Sequence, residues 1–187
     1  MQKVTFLTGN KGKWEIAKSI FANYDIELLQ DKIETPEIQT LSVEEVARFS
    51  VTYAAEKTGL SVMKSDVGHY IPAIGGFPGP FIKYFNQTLT PEDVLALMHG
   101  KQDRRVILRE CLAYAEPNQE PVTFISEQHA VIANSPEGEG STIDKLLILE
   151  GFARPKGTYS AEVMFEHWKN SLGGYHDLAK HICGSKE

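Results

Sequence analysis

Gly75, Gly76, Pro78, Gly79 and Pro80 fall within six residues, and this cluster constrains the chain more than any other stretch. Each proline lacks a backbone donor and fixes φ, while each glycine permits φ > 0 and close backbone approach. The segment is therefore expected to be a rigid loop, neither helix nor central strand. Upstream, Leu60–Met63 leads as a strand to Ser65-Asp66. Downstream, Phe81-Ile82-Lys83-Tyr84-Phe85 is apolar except for one lysine. A carboxylate at a strand end beside a glycine-proline loop is a place where α/β enzymes position chemistry. An ordinary surface turn carrying one solvated Asp66 fits the same residues.

A chain of 187 residues suits one domain with a substantial core, and no repeat or linker divides it. The net charge of −6 argues against a broad nucleic-acid face, which requires basic residues, but leaves room for a small phosphate site. Cys111 and Cys183 form no motif, so reduced thiols in a cytosolic protein are expected. Met1-Gln2-Lys3 runs directly into a strand-like segment, so no signal peptide is expected. No apolar run approaches the roughly 20 residues of a membrane span.

Val4–Leu7 reads as a buried strand, and Thr8-Gly9-Asn10 turns the chain. Trp14, Ala17, Ile20, Phe21 and Tyr24 then share one helical face, with Asn10 as the N-cap. Lys11 and Lys13 place two ammonium groups in the first helical turn, where free N–H groups and the dipole already favour an anion. Two solvated lysines are the plainer alternative. The spacing is not that of a Walker A loop.

Ile26–Leu29 is a second strand, and Thr35-Pro36-Glu37 is a turn that carries Glu37 on a loop. A capping box at Ser42–Glu45 opens a helix that Gly59 ends. Thr90 and Pro91 start another, which stops at Gly100. Val106–Tyr114 and Val122–Ala133 read as strands joined by the turn at residues 116–120. Loop glycines then surround Asp144 and the apolar Leu146–Leu149. Helices follow at Ala161–Lys169 and Tyr175–Ile182, separated by Gly173-Gly174. Alternating strands and helices followed by a hairpin predict an α/β fold, a mixed sheet flanked by helices. The six histidines match no H-E-x-x-H pattern, and no G-x-S-x-G elbow is present.

The pieces T-G-N-K-G-K at Thr8–Lys13, Pro36-Glu37, Asp66, and G-G-F-P-G-P-F-I-K-Y-F from Gly75 occur in one order. Together they resemble the inosine triphosphate pyrophosphatase family, the non-canonical purine nucleoside triphosphate pyrophosphatases, nearly end to end. The resemblance implies a single two-lobed domain over residues 1–187, built on a long twisted mixed sheet with a cleft between lobes. It also implies Mg²⁺ dependence, a homodimer, and hydrolysis of a nucleoside triphosphate to the monophosphate and pyrophosphate. Carried over by position, Thr8, Asn10 and Lys13 would hold the triphosphate, with Lys13 also counted as catalytic. Glu37 would help bind Mg²⁺, and Asp66 would bind metal or activate the attacking water. Asp144 and Lys169 would contact substrate. Mg²⁺ usually takes one or two carboxylates plus substrate phosphates, which suits this set.

Departures from the family pattern are as specific as the matches. Ser65 stands where a second acid is expected, and Ser50, with Arg48 nearby, where the second helix would carry a lysine. The F-G-[YW]-D-P segment reads Ser141-Thr142-Ile143-Asp144-Lys145, and the base-reading S-H-R aligns with Gly173-Gly174-Tyr175. The expectation is a divergent pyrophosphatase with altered or relaxed base preference. A catalytically weak nucleotide-binding protein, or a phosphatase for another phosphorylated small molecule, are the alternatives.

Overall fold

The computed structural model describes residues 2–184. Strand β1 (Gln2–Leu7) is buried from Val4 onward on both faces. Asn10 caps helix α1 (Lys11–Phe21) as expected: its side-chain oxygen accepts from the Lys13 amide at 3.1 Å. Strand β2 (Ile26–Asp31) lies parallel to β1 along its whole length. Helix α2 (Val43–Thr58) starts at Ser42, whose hydroxyl accepts from the Glu45 amide at 3.3 Å. The return arm of the expected box runs through Thr40, which donates to Glu45 Oε2 at 2.5 Å and accepts from the Ser42 amide at 3.2 Å. Gly59, at φ 69°, ends the helix in the left-handed region.

Strand β3 (Val62–Tyr70) is parallel to β1 and corrects one expectation. Asp66 is its fifth residue, inside the strand, where the sequence places it at the end. The physical cause is the glycine-proline loop itself. Strand β4 (Pro78–Gly79) lies within that loop and pairs antiparallel with His69 and Tyr70, which keeps the chain extended beyond Asp66. A short 3₁₀ turn, Pro72–Ile74, makes the return. Helix α3 (Ile82–Thr88) follows in the apolar stretch, which the sequence pattern left unassigned. Helix α4 (Pro91–Leu97) has the full reciprocal box between Thr90 and Asp93.

Strands β5 (Arg105–Ala115) and β6 (Val122–Ile132) lie where the sequence expects them. Strand β7 (Leu147–Leu149), which the sequence reading also left unassigned, pairs antiparallel with β6. Helices α5 (Ala161–Ser171) and α6 (Gly173–Gly184) are separated by Leu172 alone. The glycine pair expected as a spacer opens α6 instead, because its backbone is needed there: the Gly174 amide donates to Ser126 Oγ at 3.0 Å. A β-carbon on Gly174 would lie 3.3 Å from the Phe124 carbonyl oxygen.

Among the described residues the strands form one mixed sheet, in the order β2-β1-β3-β5-β6-β7 with β4 beside β3. The chain divides into two compact units. The first holds residues 2–66, 110–126 and 167–184, around Phe6, Phe21, Val51, Met63, Leu112 and Leu178. The second holds residues 67–109 and 127–166, around Ile71, Phe85, Met98, Ile132, Ile143 and Leu146. No helix among the described residues is long and apolar enough to cross a membrane.

Candidate active site

The first unit contains the Thr8–Lys13 turn and Asp66. Thr8 is buried; its Oγ1 accepts from the Asn10 amide at 3.1 Å, and its carbonyl accepts from Gln30 Nε2 at 2.9 Å. These bonds fix the turn between β1 and α1. The first turn of α1 carries no acidic residue. Lys11 and Lys13 therefore add to the positive end of the helix dipole without local compensation. Lys13 Nζ donates to the Ser65 carbonyl oxygen at 2.7 Å, tying the turn to β3 across 52 positions of sequence.

Alternation along β3 then sorts the neighbouring side chains by face. Lys64 and Asp66 share one face, toward α2. Lys64 Nζ lies 3.1 Å from both Ser50 Oγ and Thr35 Oγ1, and donates to each. It stands 4.0 Å from Asp66 Oδ2, beyond hydrogen-bond range. That oxygen is buried and has no hydrogen-bond partner among the described residues. Sequence comparison treats Ser50 as a lost cation; in the folded chain the Lys64 ammonium reaches Ser50 from the strand side. Its signal was the i, i+2 spacing to Asp66, which places the two on one strand face. Glu37 is exposed, two residues beyond the Thr35 that Lys64 holds.

Ser65 points to the opposite face. Its hydroxyl donates to the buried Glu110 carboxylate, which also accepts from Tyr175 Oη at 3.1 Å. Burial and the adjacent Glu110 charge push the Tyr175 hydroxyl well above the ordinary tyrosine range. Tyr175, aligned with the S-H-R segment, is fully buried, with its hydroxyl committed to Glu110. His176 Nδ1 lies 3.2 Å from the Tyr24 hydroxyl. Lys169 is half-buried near the end of α5.

The second unit contains Asp144. Its Oδ1 accepts from Lys156 Nζ at 2.7 Å and its Oδ2 from the Ser141 amide at 3.1 Å. Burial works against ionisation, but the Lys156 charge and these hydrogen bonds outweigh it and hold the carboxyl below its ordinary range. Close glycine packing shapes the loop: the Gly157 amide donates to the Asp144 carbonyl at 2.7 Å. A β-carbon on Gly138 would lie 2.2 Å from the Gly157 backbone. His69 feels both charges. Burial first, then Lys156, push its pKa down to about 4 against the opposing pull of Asp144. Its Nδ1 is buried without a hydrogen-bond partner among the described residues. Sequence reasoning singled out neither Lys156 nor His69.

Among the described residues no three His, Cys, Asp or Glu side chains cluster as a preformed cation cage. The buried Asp66 oxygen, without a hydrogen bond among the described residues, is nonetheless the hard anionic donor that Mg²⁺ takes, and one or two carboxylates suffice when phosphate oxygens complete the shell.

A profile of the Ham1 family matches residues 4–172. The dITP/XTP pyrophosphatase of Methanopyrus kandleri is 41% identical over 150 residues, which cover 80% of each chain. That of Ignicoccus hospitalis is 31% identical over 185 residues, 98% of each chain. The structure of a HAM1 protein from Coxiella burnetii superposes with a TM-score of 0.82 over 98% of this chain and 100% of that one. Its 18% identity makes it a likeness of fold, and the Staphylococcus aureus Ham1 protein, with a TM-score of 0.80 at 20% identity, is another. The resemblance carried by the Thr8–Lys13 turn, Asp66 and the glycine-proline loop is thus borne out, and the chain belongs to the Ham1 family.

Proposed function

We propose that this protein is a Mg²⁺-dependent nucleoside triphosphate pyrophosphatase. In this reading water cleaves the α–β anhydride, and the nucleoside monophosphate and pyrophosphate leave. The names of its dITP/XTP pyrophosphatase relatives support the reaction class. The observation that carries it here is the bond from Lys13 Nζ to the Ser65 carbonyl, which brings the cationic turn beside the Asp66 carboxylate, whose buried Oδ2 has no hydrogen-bond partner among the described residues.

Thr8 and Asn10 hold the turn, and Lys11 and Lys13 attract the phosphate chain. Asp66 and Glu37 would hold the metal, which when bound neutralises phosphate charge and orients the reacting groups. Asp66 Oδ2 is also the acceptor available to a proton from the attacking water. Phosphoryl chemistry asks mainly for positioning and charge neutralisation, and these residues supply both. Asp144, held by Lys156 and Ser141, and Lys169 are assigned substrate contacts. The protein is assigned to the cytoplasm, as a homodimer acting on free nucleotides, without nucleic-acid or membrane partners.

Base preference is relaxed relative to the dITP/XTP enzymes. A pocket that reads one functional group rejects analogues by leaving buried polar groups unpaired. Gly173 and Gly174 have no donor side chain, and the Tyr175 hydroxyl is spent on Glu110. Ser141 and Ile143 give no aromatic face for stacking. Specificity constants for dITP, XTP, ATP and GTP with Mg²⁺, with pyrophosphate and orthophosphate quantified separately, test this reading. Pyrophosphate from several of them, within roughly a hundredfold of one another, is expected. A larger preference for dITP or XTP would overturn the relaxed-base assignment. Orthophosphate as the product would point to a phosphatase, and binding without turnover to a nucleotide-binding protein.

A further inference from the structure

We propose that Lys64 is a second phosphate-binding cation of this site, partner to Lys13. The inference rests on the pyrophosphatase reading and extends it to a residue that the turn and carboxylate motifs do not include. Three consecutive residues of β3 gather opposite charges. Lys64 presents an ammonium, the Ser65 carbonyl anchors the Lys13 ammonium, and Asp66 presents a carboxylate. The Lys64 side chain is only 17% exposed, yet its two hydrogen bonds go to neutral hydroxyls, Thr35 Oγ1 and Ser50 Oγ. Beyond them it has the Asp66 carboxylate, an ion pair at 4.0 Å. A largely buried ammonium is costly to keep without a hydrogen-bonded anion.

Asp66, on the same face, supplies that anion only at long range. A stabilising ammonium–carboxylate pair closes to about 2.8 Å, where a charge-assisted hydrogen bond forms. Here the gap is 4.0 Å, because α2 and the loop at residues 32–40 hold the ammonium through Ser50 and Thr35. The pair therefore stays open at 4.0 Å, and the buried Asp66 Oδ2 has no hydrogen-bond partner among the described residues. A phosphate oxygen closes on the Lys64 ammonium, and the cation that accompanies a polyphosphate closes on Asp66 Oδ2. The strand's period of two makes Lys64 the one basic side chain that β3 can place beside Asp66.

The test is calorimetric binding of inosine α,β-methylene triphosphate, and of inosine monophosphate, to the full chain with Mg²⁺. Wild type is compared with Lys64→Met and Lys64→Gln, two uncharged replacements of similar length. Affinity for the triphosphate analogue is expected to fall roughly ten- to a hundredfold, the range for losing one charge-assisted hydrogen bond. Affinity for the monophosphate should change by less than about threefold, since most of the phosphate charge is absent. The variants should melt at or above the wild-type temperature, because the ammonium they remove lacks a closed ion pair. Unchanged triphosphate affinity, equal losses on both ligands, or marked thermal destabilisation with normal binding would overturn the assignment and make Lys64 a tether for the loop. Failure of the function itself is separable: wild type would then release no pyrophosphate from any nucleoside triphosphate, whatever Lys64 binds.

Discussion

His69 has a buried ring nitrogen, Nδ1, without a hydrogen-bond partner among the described residues. Its lowered pKa means that the folded chain resists a proton which the unfolded chain accepts below about 6.5. The unfolded state thus binds more protons between about pH 6.5 and 4, so stability falls as pH drops through that window. The loss amounts to at most about 3 kcal/mol. Denaturant melts at pH 7 and pH 4.5 should show it, and His69→Gln should flatten the dependence. An equally steep loss in the variant would place the titrating group elsewhere. Asp144, with its lowered pKa, loses its contribution only at more acid pH, so the two effects separate. The two thiols differ as sharply. Burial, then the negative charges of Glu44, Asp66 and Glu110, push Cys111 up to about 12, while Cys183 is exposed. Iodoacetamide at pH 8 should label Cys183 in the folded chain and leave Cys111 untouched until denaturant is added, as peptide mass spectrometry would read.

Helix α1 carries the proposed phosphate grip. Lys13→Ala should weaken nucleoside triphosphate binding at least about tenfold, while nucleoside binding stays nearly constant, since only the phosphates use the charge. Equal losses, with circular dichroism unchanged, would make the turn merely structural. Asn10→Ala should cost about 1 kcal/mol of stability in urea melts through the lost cap. These features were legible in the sequence because they are local: Asn10, Thr90 and Gly59 each act on amides or carbonyls within a few positions. The extension of β3 past Asp66 was not legible, because its partner β4 lies in a loop whose prolines argue against a strand. Nor were β7 and α3, short segments whose order comes from distant neighbours. Ser50 and Ser65 looked like losses because their new partners, Lys64 and Glu110, are 14 and 45 positions away. Spacing along a chain does not show which side chains meet across a sheet.

At the scale of the whole molecule, the mixed sheet and its two compact units carry a family scaffold whose fold persists below 20% identity to the Coxiella burnetii protein. At the proposed phosphate end of the site, Lys13 is joined to β3 beside Asp66. Two of the residues matched by position to S-H-R are packed in the fold, Tyr175 in the core of the first unit and Gly174 against Ser126. The proposed change at the base-reading end would alter which nucleotide is used while leaving the bond that breaks the same. The most direct measurement is therefore pyrophosphate release from a nucleoside triphosphate with Mg²⁺, by wild type and Asp66→Asn side by side. Asparagine keeps the shape and removes the charge required for the cation and the proton. One pyrophosphate per monophosphate is expected from wild type, with turnover at least about a hundredfold lower in the variant at unchanged melting temperature. Near-normal turnover in Asp66→Asn would contradict the assignment.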